Sequence, residues 1–293
     1  MSAAENAIAA SNGRSQGLLR RLSRDPGAAF GLLVVAILVA LFLFGPWLTP
    51  YGFGDQNIAA RLQGPSVAHP LGTDQLGRDL LARLIYGVRI ELMVAVPAVF
   101  GALVLGLLLG LPAGYLGGRV DALVLVVLDT LHALPTVVLA LTLLALLGNS
   151  LTNVVLVLTV SLAPSFARVA RASVFAVKHS AYVEAQRILG ASTRRIMVRH
   201  ILPNIIPPLL LLVAMNLPTA IAVETGLSFL GLGVRPPTPS WGVIMADGFQ
   251  RVRTTPWPII WTCLALGITT LGCTLLGEGL RDVLDPKFRK SER

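Results

Sequence analysis

The chain has 293 residues, of which 54% are hydrophobic and only 13% charged, and its mean hydropathy is +0.74. Soluble domains run at about 45–50% apolar and about 25% charged, so this composition excludes an ordinary soluble enzyme or a disordered chain and points to a membrane protein. The formal charge of +9 is then best read as basic residues anchoring membrane helices, not as a nucleic-acid footprint.

A helix crosses the hydrocarbon core in about 20 apolar residues, and six stretches qualify: 28–48, 92–116, 122–147, 151–167, 205–227 and 257–277. Because a lipid-exposed backbone must satisfy its own hydrogen bonds, these spans are helices, and the predicted fold class is an all-α membrane protein with six transmembrane helices. A polar tail, 1–27, precedes them. The first span follows Arg14, Arg20, Arg21 and Arg24 as a signal peptide would. Its apolar run is longer than the usual signal core, however, and Gly45-Pro46-Trp47-Leu48 offers no small-x-small cleavage site, so it reads as an uncleaved span. The external segment 49–91 is rich in turn residues, including His69-Pro70-Leu71-Gly72-Thr73-Asp74 and Gly77-Arg78-Asp79, and a short helix over 79–90 leads into the second span.

In the second span Ala98, Ala102, Gly106, Gly110 and Gly114 recur every fourth residue. Such a ridge of small side chains lets helix backbones approach closely, either within the chain or as a seam against a second subunit. The third span carries Asp129 and, three residues on, His132, and it can kink at Pro135. The fifth carries Glu224 near its external end. Intramembrane carboxylates are functional candidates by default, and against that stands a structural hydrogen bond to a neighbouring helix. The external segment 228–256 contains Pro236-Pro237-Thr238-Pro239-Ser240-Trp241-Gly242, which cannot be regular helix. In the last span Cys263 and Cys273 would lie about 15 Å apart along a helix, too far for a disulfide. The core therefore runs over 92–282, with a short tail at 283–293.

With the N-terminus inside, the inner segments carry seventeen Lys and Arg and the outer ones seven. Positive residues favour the cytoplasm, so both termini are expected there.

The inner connection 168–203 is far longer than a turn requires. Residues 184–189 read as a short helix on which Ala185, Ile188 and Leu189 share a face. Glu184 suits its N-terminus, and Gly190 is a natural stop. A second basic helical stretch, 192–201, is expected to end before Pro203.

Here a resemblance enters. Glu184-Ala185-Gln186, then Gly190, then Leu202-Pro203 resembles the coupling loop of ABC importer permeases, with Gln186 where a third alanine is usual and His200 where an aliphatic often stands. The external motifs at 69–79, 227–233 and 236–242, and Gly279-Leu280-Arg281-Asp282 with Leu284-Asp285-Pro286, are similar to the dipeptide/oligopeptide/nickel permeases, second permease subunit type. The resemblance implies a type I ABC importer permease architecture, an inner-membrane location, a homologous partner permease, two cytoplasmic ATPase domains and an external solute-binding protein. It also implies that ATP and Mg are bound by the ATPase, leaving this chain without a cofactor.

No other chemistry is carried by a motif. Lys178, Lys287 and Lys290 follow Val177, Pro286 and Arg289, so the Gly-Lys-Ser/Thr of a P-loop is missing. The four histidines lack metal-ligand spacing, so no metal site is expected. No Gly-x-Ser-x-Gly elbow occurs, and the chain is not expected to be an enzyme. The alternative is a proton-coupled secondary transporter using Asp129 and Glu224.

Overall fold

The computed structural model describes residues 22–23 and 25–284. Both terminal tails fall largely outside the described residues, as do the basic residues at 14, 20, 21, 24, 287, 289, 290 and 293. Among the described residues the chain is helical, with an isolated Thr73–Asp79 bridge and no strand. The helices are α1 (Pro26–Phe44), α2 (Leu80–Leu116), α3 (Gly118–His132), α4 (Thr136–Leu147), α5 (Leu151–Val177), α6 (Ala181–Ile188), α7 (Leu202–Phe229), α8 (Trp241–Phe249) and α9 (Trp257–Leu284). Five helical stretches are long and apolar enough to cross a membrane, and α3 with α4 makes a sixth if that bent pair is counted as one span.

Local chemistry sets the helix starts. Pro26 opens α1 behind Asp25, whose side chain accepts from the Gly27 N–H at 3.0 Å. Asp79 caps α2 by accepting from the Ala82 N–H at 2.8 Å. Ser150 and Ser240 cap α5 and α8 in the same way. Each cap satisfies a backbone donor that has no partner within its helix.

Three expectations are corrected, and the kink expected at Pro135 is present. The helix expected over 79–90 is not separate: it is the N-terminal part of the 37-residue α2. The third span is two helices meeting at 88°, because Pro135 disfavours helical geometry in the residue before it and lacks the donor to continue. The fourth span does not stop at 167 but runs to Val177, since Arg168 and Arg171 find carboxylate partners on α3. The basic stretch 192–201 does not end before Pro203. It passes through one α turn (Thr193–Arg195) and one π turn (Ile196–Ile201) directly into α7. Pro203 would clash with the carbonyl four residues back, and the ladder slips by one residue, so that the Leu202 N–H donates to the carbonyl of Met197. The connection between α5 and α7 is therefore shorter than 168–203 and helical at both ends.

The small-residue ridge is where α2 meets α5. A Cβ on Gly106 would lie 2.4 Å from the Phe166 Cβ, one on Gly110 2.3 Å from the Ala167 carbonyl oxygen, and one on Gly114 2.8 Å from the Val174 Cβ. Ala98 and Ala102 are fully buried, and Thr159 donates to the Ala98 carbonyl at 3.3 Å. α5 thus occupies this ridge, which leaves no room on it for a second subunit. In contrast, α3 buries only Leu128.

Candidate functional site

Two assemblies stand at opposite ends of the helices. One is built around α6. Its first turn holds Glu184 and its last Arg187, each complementing the helix dipole. Val183 is fully buried and pins the helix to the π turn before α7. Arg187 reaches back to α2, donating to the Tyr115 hydroxyl at 3.3 Å with its guanidinium 5.3 Å from that ring. Lys178 donates to the Gly114 carbonyl at 3.1 Å. The opposite face is bare: Ala185 is exposed, and Ile188 and Leu189 are 86% and 76% exposed. Gly190 closes the helix at φ +75°, its N–H donating to the Arg187 carbonyl at 3.0 Å. Only glycine adopts that conformation without strain.

The structure brings Glu184, Ala185 and Gly190 onto one exposed surface, with Gln186 half-buried beside them. Leu202 and Pro203 sit apart at the root of α7, Leu202 half-buried and Pro203 exposed. Their place there is to set the register of the π turn on which α6 rests.

The other assembly is a folded cap. Asp74 accepts from Arg78 Nε at 2.6 Å and from Arg83 Nη1, and both arginines also approach Asp247 of α8, at 3.5 and 3.7 Å. His69 Nδ1 pairs with Asp79 at 2.9 Å. The turn between these acids needs Gly77, at φ +70°, where a Cβ would lie 1.7 Å from the Asn57 carbonyl oxygen. Trp241, buried at the start of α8, donates from Nε1 to the Leu84 carbonyl and from its backbone N–H to Glu91 Oε1, both at 3.1 Å. Glu91 is set against Glu224, which accepts from the Ser228 hydroxyl at 2.6 Å, and Ser228 in turn accepts from the Val234 N–H at 3.0 Å. Glu224 is thus as buried as expected, and its place is in a network that ties α8 to α2 and α7.

At Asp129 the structure shows the structural alternative, a hydrogen bond to a neighbouring helix. Both side chains are exposed in the single chain, and Asp129 accepts from Arg168 Nη2 at 2.8 Å. Asp121, not singled out by the sequence, makes the bidentate pair with Arg171 at 2.5 and 2.7 Å. Glu91 and Asp247 were also missed. Glu91 falls just outside an apolar run, and Asp247 lies far along the chain from its arginines, so no spacing connects either to its partners. Trp241, in the proline-rich run, was the available signal. Among the described residues there is no cluster of three or more potential metal ligands.

Residues 102–290 match the family described as binding-protein-dependent transport system inner membrane component, and residues 14–65 match the N-terminal TM domain of oligopeptide transport permease C. The chain belongs to this family of importer permeases. The dipeptide transport system permease protein DppC of Alkalihalophilus pseudofirmus is 36% identical over 270 residues, covering 92% of this chain and 89% of that one. The di/tripeptide transport system permease protein DppC of Pseudomonas aeruginosa is 37% identical over 275 residues, covering 92% and 91%. In fold, the permease is similar to a chain of the MetNI methionine ABC transporter in an inward-facing conformation, with a TM-score of 0.52 and 19% identity over 70% of this chain and 97% of that one. The permease architecture is therefore that of an ABC importer, and the secondary-transporter alternative is not favoured: the family is one of importer permeases, and Asp129 is already engaged by Arg168.

Proposed function

We propose that this permease pairs with a homologous partner permease to form the path of a short-peptide importer, with two cytoplasmic ATPase domains driving it and an external solute-binding protein supplying solute. The observation that carries the reading is α6, a helix held at its back by Val183 and Arg187 while its apolar end, Ala185, Ile188 and Leu189, has no cover within the described chain. A cleft on an ATPase is the occupant proposed for that face, with Glu184, Ala185, Gln186 and Gly190 as the docking surface and Leu202 and Pro203 as its root. ATP and Mg belong to the ATPase. Closure of the ATPases must change how well they fit α6, because only differential binding shifts a conformational balance. The solute class rests on the dipeptide and di/tripeptide permeases named above. Both termini and α6 are placed in the cytoplasm and α8 outside, on the basic asymmetry of the sequence.

The test is uptake of a labelled dipeptide into vesicles holding the assembled complex. Uptake that requires ATP and the binding protein is expected, and uptake driven by a pH gradient without ATP would overturn the reading. Orientation is checked separately by replacing Arg235 with cysteine in a background without Cys263 and Cys273. An impermeant reagent should label it in intact cells, and protection there with labelling only after permeabilisation would reverse the topology.

A further inference from the structure

Four arginines lie in the external part of the chain up to the second span: Arg61, Arg78, Arg83 and Arg89. Three are engaged by the protein. Arg61 Nε donates to the Gln75 carbonyl at 2.9 Å, and Arg78 and Arg83 pair with Asp74 and Asp247. Arg89 has no hydrogen-bond or ion-pair partner among the described residues, and its buried Nε is left without an acceptor. Its guanidinium carbon lies over the ring of Phe42 on α1, 5.8 Å from the centroid. The Nε is enclosed by the protein and out of reach of an outside group, but the terminal nitrogens of the half-buried guanidinium are unpaired and open to the surroundings, and a cationic donor at the edge of an apolar region is costly unless an acceptor is supplied.

The surface next to Arg89 indicates what carries that acceptor. Leu92, Met93 and Val96 follow Arg89 at i+3, i+4 and i+7, on the same face of α2. With Pro97 and with Val39 and Phe42 of α1 they line an open groove of about 420 Å³ with no polar residue in its walls. Its depth follows from the aromatic residues nearby. Trp47, just past α1, is 79% exposed, and Tyr86 lies one turn of α2 before Arg89. Such side chains collect at the membrane–water interface, which places Arg89 at headgroup level and the groove in the hydrocarbon beneath it.

We propose that the groove between α1 and α2 binds an anionic phospholipid of the external leaflet, its phosphate on Arg89 and an acyl chain along Val39, Phe42, Met93 and Val96. The planar, weakly hydrated guanidinium suits a phosphate with paired hydrogen bonds. The apolar groove immediately below it suits the chain attached to that phosphate. The cation–π contact with Phe42 holds the guanidinium over the groove and away from bulk water.

The experiment uses the complex assembled with its partner subunits, purified in detergent, stripped of loosely held lipid, and given phosphatidylglycerol or phosphatidylcholine. Native mass spectrometry counts the lipid retained. Phosphatidylglycerol should be held about tenfold more tightly than phosphatidylcholine, the scale of one hydrogen bond to a charged group. Arg89→Gln should erase that preference, while Arg89→Lys, which keeps the charge but not the fork, should retain part of it. Val96→Trp, filling the groove and leaving Arg89 in place, should lower retention of both lipids. Equal retention by the unmodified complex would mean annular lipid only and would overturn the proposal. So would a preference that survives Arg89→Gln. If the unmodified complex shows no preference and Arg89→Gln releases the partner permease, Arg89 belongs to a protein carboxylate across that interface and not to a lipid.

Discussion

Gly110→Leu is expected to prevent α2 and α5 from closing and to remove most of the folded protein from the membrane. The first carbon of any side chain at 110 would stand 2.3 Å from the Ala167 carbonyl oxygen and 2.9 Å from the Ala170 Cβ. The obstacle is backbone and cannot rotate away. Overpacking of a core typically costs about 1–3 kcal/mol, and a contact that must move a whole helix belongs at or above the top of that range. The contact it breaks is the most extensive between any two helices here, and it is made by close backbone approach, which is what holds helices together in lipid. Gly226→Ala, on α7 with open space where the new carbon would sit, serves as the control and should leave yield unchanged. The measurement is monodisperse protein recovered per cell and its unfolding temperature. A Gly110→Leu variant matching the unmodified chain on both would show that α5 does not close on α2 as described.

The second large effect is expected at α6. Ala185→Asp places a carboxylate on an exposed surface, so the permease should fold and reach the membrane in normal amount. The charge becomes costly only when that face is covered by a partner that offers it no counter-charge. Gly190→Val acts differently. Nothing lies within 4 Å of a Cβ at 190, but the backbone is held at φ +75°, where a side chain costs about 1–2 kcal/mol, and more for a branched one. Valine there should turn the apolar end of α6 away from its docking direction. Both variants should assemble yet lose solute-stimulated ATP hydrolysis by about tenfold or more, measured on the purified complex per assembled unit. Stimulation equal to that of the unmodified complex in both would remove α6 as the coupling element. Reduced yield with full stimulation in whatever assembles would assign the helix to internal packing.

The glycines behind both effects are legible in the sequence. The left-handed Gly190 follows from an apolar-periodic helix ending in glycine, and the structure has it at φ +75°. The small-residue ridge is equally legible, since a four-residue spacing puts Ala98 to Gly114 on one stripe whatever they touch. That α5 is what they touch is not legible, because every apolar helix in the chain is a comparable partner in composition.

The helix ends show the same division. Apolar runs place the spans because lipid leaves the backbone no alternative to helix, and this requirement acts on each stretch independently of its neighbours. Charge marks the ends of spans only while the charges are taken to face water. Arg168 and Arg171 look like the start of an inner loop, yet α5 runs on through them because Asp129 and Asp121 on α3 accept their hydrogen bonds. The same holds at the other end of the helices, where Arg78 and Arg83 are held by Asp74 and by Asp247, more than 160 positions on from either arginine. The sequence by itself determined that the chain is a bundle of membrane helices with a helical, glycine-stopped connection before α7, since hydropathy, periodicity and backbone freedom are local properties. Which buried carboxylates are paired and with what, and that Pro203 shifts the register of α7 without ending the helix, were decided by the tertiary structure alone: the energy of a buried charge or an unpaired backbone donor depends on which groups folding brings within about 3 Å of it.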